Sequence, residues 1–405
     1  MYGPRATQVS RTLGALAALG WRSTVVCLAP RRGGPHWRDG AEVVPPAGVD
    51  LVRVPSPEEW LALRVAWRVA PFFRDVPDSK WVWVERAARA ARRAASQHDP
   101  AGLITFAQPW SDHLVGLRVS RQTSLPWVAH FSDPWVDSPY TAGPRWQQPL
   151  WRRIERDVIR EADAVVFVSR ETADLVMKKY PDAWRQKASV VPHGFDAAAT
   201  PATTNAPRRP GPMRIAYTGR FYAGVRTPIA FLQALAALHA RQALTGVVEV
   251  AFVGPHVEAF SREADALGVG PLVRFRGRVP AAEAAAIAAD ADVLLVIDAP
   301  SEGPSPFLTS KLIDYLPFRK PILGVTPEPG ATAALLRRLG SRVAAPGDVE
   351  AIASALAGLL RDWSAGTLGV PASFAQVAAE FDIGRTTARL NDVLVSAFGS
   401  RGVHR

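Results

Sequence analysis

The stretch Ser310-Lys311-Leu312-Ile313-Asp314-Tyr315-Leu316, followed by Lys320-Pro321-Ile322-Leu323-Gly324, has the residue types and spacing of a nucleotide site. An apolar run over 291–297 and a loop over 298–309 precede it. The order predicts a buried strand, a loop, a helix start, a carboxylate one turn in, and a second apolar strand. A loop and helix start at the carboxyl end of a parallel strand suit a phosphate. Asp314 could then accept from the vicinal hydroxyls of a ribose, at about 1.5–3 kcal/mol per bond when desolvated. The alternative for Asp314 is a solvated helix residue or an ion pair with Lys311. Lys311 could instead reach a diphosphate, and Thr309 or Ser310 could cap the helix and leave amides free for a phosphate.

A second constellation is Ile215-Ala216-Tyr217-Thr218-Gly219-Arg220, continuing through Phe221-Tyr222-Ala223-Gly224-Val225-Arg226. It reads as a strand running into a Gly-Arg turn. Glycines let backbone approach a ligand, and Arg220 and Arg226 could clamp a diphosphate; the bland alternative is a surface turn with solvated arginines. In the first half, Trp127-Val128-Ala129-His130-Phe131-Ser132-Asp133 leads a strand into a polar loop. There His130 and Asp133 are either site residues or a core histidine and a loop cap. Val190-Val191-Pro192-His193-Gly194-Phe195-Asp196 offers His193 as a ligand contact, with Gly194 expected to take an unusual backbone angle. Asp290-Ala291-Asp292 has the form of a metal motif but falls before a strand, at the wrong edge of the sheet, and reads as structural. No His, Cys, Asp or Glu cluster has metal-ligand spacing.

These groups need a framework, and helical and strand patterns alternate almost throughout. That argues for α/β architecture with parallel sheets. Strands are expected at 24–28, 51–54, 103–106, 127–131, 164–168 and 189–191, then at 214–217, 248–253, 273–276, 293–297, 322–325 and 341–344. A segment rich in Ala, Pro and Thr divides the two series. The expected organisation is an N-terminal Rossmann-like domain over 1–196 and a linker over 197–212. A C-terminal Rossmann-like domain over 213–375 and a last amphipathic segment and tail over 376–405 follow. A Rossmann-like half opens on the central strand of its sheet, whereas this sequence opens on the loop before the first helix. The expectation is a natural start further upstream; the alternative is another segment in that slot.

The chain has 405 residues, a formal net charge of +11 and one cysteine, Cys27. That length holds two ordinary cores. One cysteine excludes an internal disulfide and fits a reducing cytoplasm. The opening residues do not have the form of a signal peptide. The longest apolar candidate for a membrane span, 231–254, is interrupted by His239, Arg241, Gln242 and Glu249. A basic balance favours nucleic acid, an anionic membrane or phosphorylated substrates. No zinc-finger or RNP1-type pattern supports nucleic acid. Trp81-Val82-Trp83-Val84 with Arg86, Arg89, Arg92 and Arg93 reads as a helix with aromatic and basic faces, either amphipathic in the ordinary way or lying on an anionic membrane. Trp60, Trp67, Phe72 and Phe73 lie just upstream.

Taken in order, these motifs resemble glycosyltransferase family 4 of the GT-B fold. Gly219-Arg220 with Arg226 is similar to the family's Gly-Arg…Lys/Arg loop, and Val190 to Asp196 to its "viPNG-x-D" segment, with His193 in the Asn place. Glu155 followed by Ala162-Asp163-Ala164-Val165 and Ser169 resembles "lE…AD-x-v…vS". The 310–324 stretch resembles the subgroup carrying "K-l-x-E-Y-l…g-k-P-i-l". There are departures: Pro306 stands where the family has a glutamate eight residues before the ribose carboxylate, with Glu302 close but offset. Asp314 replaces Glu, and Arg226 takes the place of the expected lysine.

The resemblance implies two Rossmann-like domains facing across a cleft, with a C-terminal helix crossing back to the first. It implies retaining, metal-independent transfer of a sugar from a nucleotide-diphosphate sugar to an acceptor hydroxyl, with no cofactor besides that donor. Arg220, Arg226 and Lys311 would stabilise the leaving diphosphate. Gly219, Thr309, Ser310, Asp314, His193, Glu302 and Arg276 would contact the donor, with the base near Arg276. Asp133 or His130 would position acceptor or donor sugar. The implied acceptor is a glycan or lipid-linked molecule in cell-surface polysaccharide or glycolipid synthesis, and the implied place the cytoplasm, at the inner face of the membrane. The alternatives are a degenerate nucleotide-sugar-binding protein and a nucleotide-sugar epimerase.

Overall fold

The computed structural model describes residues 4–29, 44–69, 74, 77–138, 146–198 and 210–399. The expected linker falls largely outside them, as do Phe72 and Phe73. The chain forms two units: residues 1–194 with 383–405, and residues 195–382.

The first unit runs α1 (Pro4–Ala18), β1 (Ser23–Leu28), β2 (Val49–Val54), α2 (Leu61–Val69), α3 (Val84–His98), β3 (Leu103–Phe106) and α4 (Ser111–Thr123). It continues through β4 (Trp127–Phe131), α5 (Gln148–Glu161), β5 (Ala164–Phe167), α6 (Arg170–Met177), α7 (Asp182–Arg185) and β6 (Ala188–Val190). All pairings are parallel, in two pieces: β1-β2, and β3-β4-β5-β6 in that order. Among the described residues no strand joins the pieces, but Trp83, Val84, Ala87 and Ala88 pack against both Val52 and Leu103. On the larger piece, Trp127, Ala129 and Phe131 face α4, α5 and α6, while Val128 and Val166 face Leu16 of α1. This period of two in a strand buried on both faces is what a parallel sheet requires.

The second unit runs β7 (Met213–Thr218), α8 (Ile229–Arg241), β8 (Val248–Val253), α9 (Ser261–Ala266), β9 (Val273–Phe275), α10 (Ala281–Asp290) and β10 (Val293–Ile297). Then come α11 (Ser310–Tyr315), β11 (Ile322–Val325), α12 (Ala331–Arg338), β12 (Arg342–Ala344), α13 (Val349–Ser364) and α14 (Phe374–Ala379). Its sheet is parallel with order β12-β11-β10-β7-β8-β9. Ile215, Tyr217, Val293 and Leu295 face α8 and α13, while Ala216, Leu294 and Val296 face α11, α12 and α14. The strand order reverses between β7 and β10, and ligands of open α/β sheets sit beyond the carboxyl ends at such a point.

One device recurs in both units. Asp163 and Asp292 each precede a strand, and each carboxylate accepts the N–H of a residue starting the neighbouring strand, Trp127 and Arg214, at 2.8 Å. Each aspartate N–H donates back to that residue's carbonyl, also at 2.8 Å. Asp290 pairs with the Arg214 guanidinium at 2.9 Å. The Asp-x-Asp pair thus ties strand starts together, opposite the carboxyl ends.

Two expectations are corrected. The last segment is not one helix: α14 ends at Ala379, Phe381 is buried in the second unit, and α15 (Ile383–Gly399) packs Leu390 and Leu394 on the first unit's sheet. Gly194 has no positive φ. It is required for space, since a Cβ there would lie 2.5 Å from Thr386 Oγ1 and 2.7 Å from Ile383 Cα. In the 81–93 segment Trp83 is buried and its indole donates to Val54 O at 3.0 Å, while Trp81 is exposed.

Candidate functional site

Strand β7 ends at Thr218 and the chain turns through Gly219 into a closed loop. The Tyr222 N–H donates to Arg226 O at 2.9 Å and the Arg226 N–H to Tyr222 O at 2.8 Å. Gly224 at the tip has φ +74°, which favours glycine. The neighbouring loop approaches closely: a Cβ on Gly254 would lie 2.0 Å from Gly219 O. Tyr217 stacks on Phe221 at 4.5 Å. The Arg220 carbonyl accepts from Tyr217 Oη at 3.1 Å and from Arg226 Nη2 at 2.9 Å. The Tyr222 ring has the Arg220 guanidinium at 5.9 Å and that of Arg226 at 5.2 Å. Arg226 Nε is buried without a hydrogen-bond partner. The loop therefore holds two cations close together and leaves one directional donor free.

The adjacent strand β10 delivers the second loop. Its first residue, Asp298, is a buried carboxylate that accepts from Thr326 Oγ1 at 2.9 Å. Burial raises its pKa, opposed by the Thr326 hydrogen bond and the nearby Arg226 charge. Farther along, Ser305 N–H donates to Pro329 O and Ala331 N–H to Ser305 O, both at 2.9 Å. Thr332 Oγ1 donates to Phe307 O at 3.0 Å and accepts from Thr309 N–H at 3.1 Å. The loop is thus laced to the segment after β11. Pro306 is buried in this lacing, and Glu302 is exposed.

Thr309 stands at the start of α11 without a side-chain cap bond. Ser310 and Lys311 form the first turn. Lys311 Nζ lies 3.7 Å from Asp314 Oδ2, and both side chains are about one-third exposed (38% and 33%). Tyr315, one residue on, is buried, and its hydroxyl accepts the Thr218 N–H at 2.8 Å. Burial pushes its pKa up to about 12, so it stays protonated. This bond fastens α11 to the end of β7, so the two loops of the sequence reading flank one switch point. Arg276, at the end of β9, is paired with Glu283 at 3.1 Å.

In the first unit, His130 lies on β4, Asp133 in the turn after it, and His193 after β6. The His130 and His193 rings stack at 6.3 Å and 19°. Both are held well below the ordinary histidine pKa, by burial first and then by the Arg5 charge. Asp133 accepts from Gln108 Nε2 at 3.3 Å, and burial raises its pKa. Glu155 of α5, fully buried, steadies this turn: it accepts from Val136 N–H at 3.0 Å and from Tyr180 Oη at 2.7 Å. Sequence reasoning missed two residues, Asp298 and Arg5. The only available signal for Asp298 was its place as the first polar residue after an apolar strand. Arg5 had no signal.

Among the described residues no group of three His, Cys, Asp or Glu gathers as a metal site. Two family models match the chain, a "Glycosyl transferase 4-like domain" over residues 5–194 and "Glycosyl transferases group 1" over residues 212–362. None of the curated proteins matches the sequence. Among solved structures, sucrose-phosphate synthase from Thermosynechococcus elongatus is similar with a TM-score of 0.70 and 17% identity, over 98% of this chain and 94% of that one. WaaG, a glycosyltransferase involved in lipopolysaccharide biosynthesis, gives 0.62 and 13%, over 97% and 96%. A putative UDP-N-acetylglucosamine 2-epimerase from Listeria monocytogenes gives 0.60 and 12%, over 98% and 95%. These identities speak for the fold alone. The two family models, together spanning both units, show that the chain belongs to glycosyltransferase family 4, with the GT-B fold.

Proposed function

We propose that the chain is a retaining transferase of the subgroup with the Lys-x-x-Asp-Tyr helix motif, moving a sugar from a nucleotide-diphosphate sugar to an acceptor hydroxyl. The observation that carries this reading is Arg226. Its Nη2 is fixed on the Arg220 carbonyl at 2.9 Å, while its buried Nε is free. Cleavage of the anomeric C–O bond leaves negative charge on the diphosphate. A preorganised guanidinium stabilises that charge by about 3 kcal/mol where water is excluded. Arg220 and Lys311 add charge, Gly219 gives close backbone approach, and Thr309 and Ser310 offer amides. In this reading these groups do the work a metal does elsewhere. Asp314 leaves Lys311 to accept the ribose hydroxyls, and Arg276 lies toward the base. Glu302, Asp133, His130 and His193 are the candidates for positioning the sugar or the acceptor.

The acceptor proposed is a glycan or lipid-linked molecule of cell-surface polysaccharide or glycolipid synthesis, handled at the inner face of the membrane. Helix α2 supports a peripheral contact. None of its residues is buried. Leu61, Val65 and Val69 form one stripe, exposed at 75%, 53% and 81%. Arg64 and Arg68 flank that stripe, and such a helix suits an anionic surface. Among the described residues no helix is long and apolar enough to cross a membrane.

A panel of UDP-, GDP-, ADP- and dTDP-sugars tests the reading, by thermal shift and then by transfer to glycan and lipid-linked acceptors. One donor should stabilise the protein according to RT ln(1 + [L]/Kd) and be consumed with an acceptor present. Binding with no transfer would favour the degenerate protein, and acceptor-independent epimerisation the third alternative.

A further inference from the structure

The first unit holds a cation that its own side chains do not satisfy. Arg5 lies in the first turn of α1, a helix of 15 residues. Its Nη2 is 3.1 Å from His130 Nδ1 and its Nη1 3.4 Å from Gln8 Oε1. Its guanidinium lies 5.5 Å from the Phe106 ring centroid. Nε is buried and has no hydrogen-bond partner. None of these partners is a carboxylate. A guanidinium only donates, so His130 Nδ1 accepts, and the His130 ring carries its proton on Nε2. The stacked His193 ring is a second neutral imidazole beside it.

Two acids act on the Arg5 charge, Asp133 first and then Asp112. Asp133 and Asp112 both feel Arg5, but burial raises both, Asp112 to about 8. At neutral pH Asp112 is therefore mostly protonated. Burial itself disfavours the Arg5 cation and lowers its pKa to about 10, still charged at pH 7. A half-buried cation whose buried Nε lacks a partner favours an anion, and a charge-assisted bond to phosphate is the strong form of that interaction. The first-turn amides of α1 lie at the same end and favour the same sign.

We propose that Arg5, with the neutral rings of His130 and His193 as further hydrogen-bond donors, forms a phosphate-binding subsite in the first unit, distinct from the Arg226 loop of the second. The ligand class is a phosphate ester, carried by the acceptor. This deepens the transferase reading, but phosphate binding at Arg5 can be measured without turnover.

The test is titration of inorganic phosphate into the full-length protein, followed by calorimetry and thermal shift, for the wild type, Arg5→Gln, Arg5→Lys and Arg226→Gln, each with and without saturating UDP. Wild type with UDP present, and Arg226→Gln, should each retain a phosphate-binding site. Arg5→Gln should lose at least tenfold in affinity. Arg5→Lys keeps the charge but not the fork, and should lose several-fold; it decides the matter if Arg5→Gln does not fold. Unchanged affinity in both Arg5 variants overturns the subsite. Complete loss of phosphate binding in Arg226→Gln, or complete displacement by UDP, assigns the phosphate to the donor loop and overturns it too. A failed Arg5 result leaves the donor reading standing, because that rests on Arg226.

Discussion

Arg226 Nη2 donates to the main-chain carbonyl of Arg220 at 2.9 Å, and the same guanidinium keeps its buried Nε unpartnered. The Nη2 bond sets the direction of the guanidinium, and Nε has no partner within the protein. Lysine would keep the charge and lose both features. Arg226→Lys should therefore lower kcat by about 10²-fold, the scale of removing one oriented donor. Steady-state kinetics check this; a variant within a few-fold of wild type would mean that charge alone suffices.

Tyr315 fixes α11 to the end of β7 by accepting the Thr218 N–H at 2.8 Å. Phenylalanine fits the same space but leaves that buried N–H unpaired, at a cost of about 1–3 kcal/mol. Urea unfolding of Tyr315→Phe should show a lower midpoint with an unchanged slope. An unaltered midpoint would mean that the N–H finds another acceptor.

The first unit contains an acid-sensitive histidine. His113 Nδ1 lies 2.8 Å from Thr105 Oγ1, which accepts from Trp127 Nε1 at 2.9 Å. The Thr105 hydroxyl thus links the His113 and Trp127 rings. Burial, then the Arg5 charge, brings the His113 pKa down to about 3. The folded value lies below the unfolded one, so the unfolded chain takes up a proton first as pH falls. The contribution is intact above about pH 6.5 and is lost toward pH 3, by at most about 1.4 kcal/mol per pH unit. The carboxyls raised by burial, Asp112, Asp133 and Asp298, change stability in the opposite sense with pH, so the comparison must be between variants. His113→Asn keeps a hydrogen-bonding group for Thr105 without titrating. Its stability deficit relative to wild type should shrink as pH falls from 6.5, in denaturant titrations across pH; a constant deficit would contradict this.

Leu61, Val65 and Val69 of α2 are proposed to meet an anionic surface. Co-sedimentation with phosphatidylglycerol vesicles should fall severalfold in Leu61→Ser/Val65→Ser, and wild type should bind phosphatidylcholine vesicles weakly. Equal binding of both proteins would remove α2 from any membrane contact.

The sequence was most legible where local pattern and tertiary role agree. Apolar runs such as Val293 to Ile297 are strands because both faces are buried, and the loops beyond them follow from strand direction. Helix α2 was not foreseen: its apolar residues face outward, away from any core. The break between α14 and α15 was missed because the residues on either side, which read as one amphipathic run, belong to different units. Gly194 looked like a turn glycine, although the demand on it is steric and comes from Thr386 and Ile383, nearly two hundred residues away. Asp298 and Arg5 gain their meaning from burial beside other charges. Neither position lies in a local pattern that encodes it. Arg226 was legible because its spacing from Gly219 is itself the loop that holds it.

The most direct test is donor turnover by Arg226→Ala and Asp314→Ala, measured with the nucleotide sugar that stabilises the wild type, after circular dichroism has shown both variants folded. Transfer should be abolished in both variants. Wild-type turnover in either would contradict the assignment of the donor site to the loops after β7 and β10.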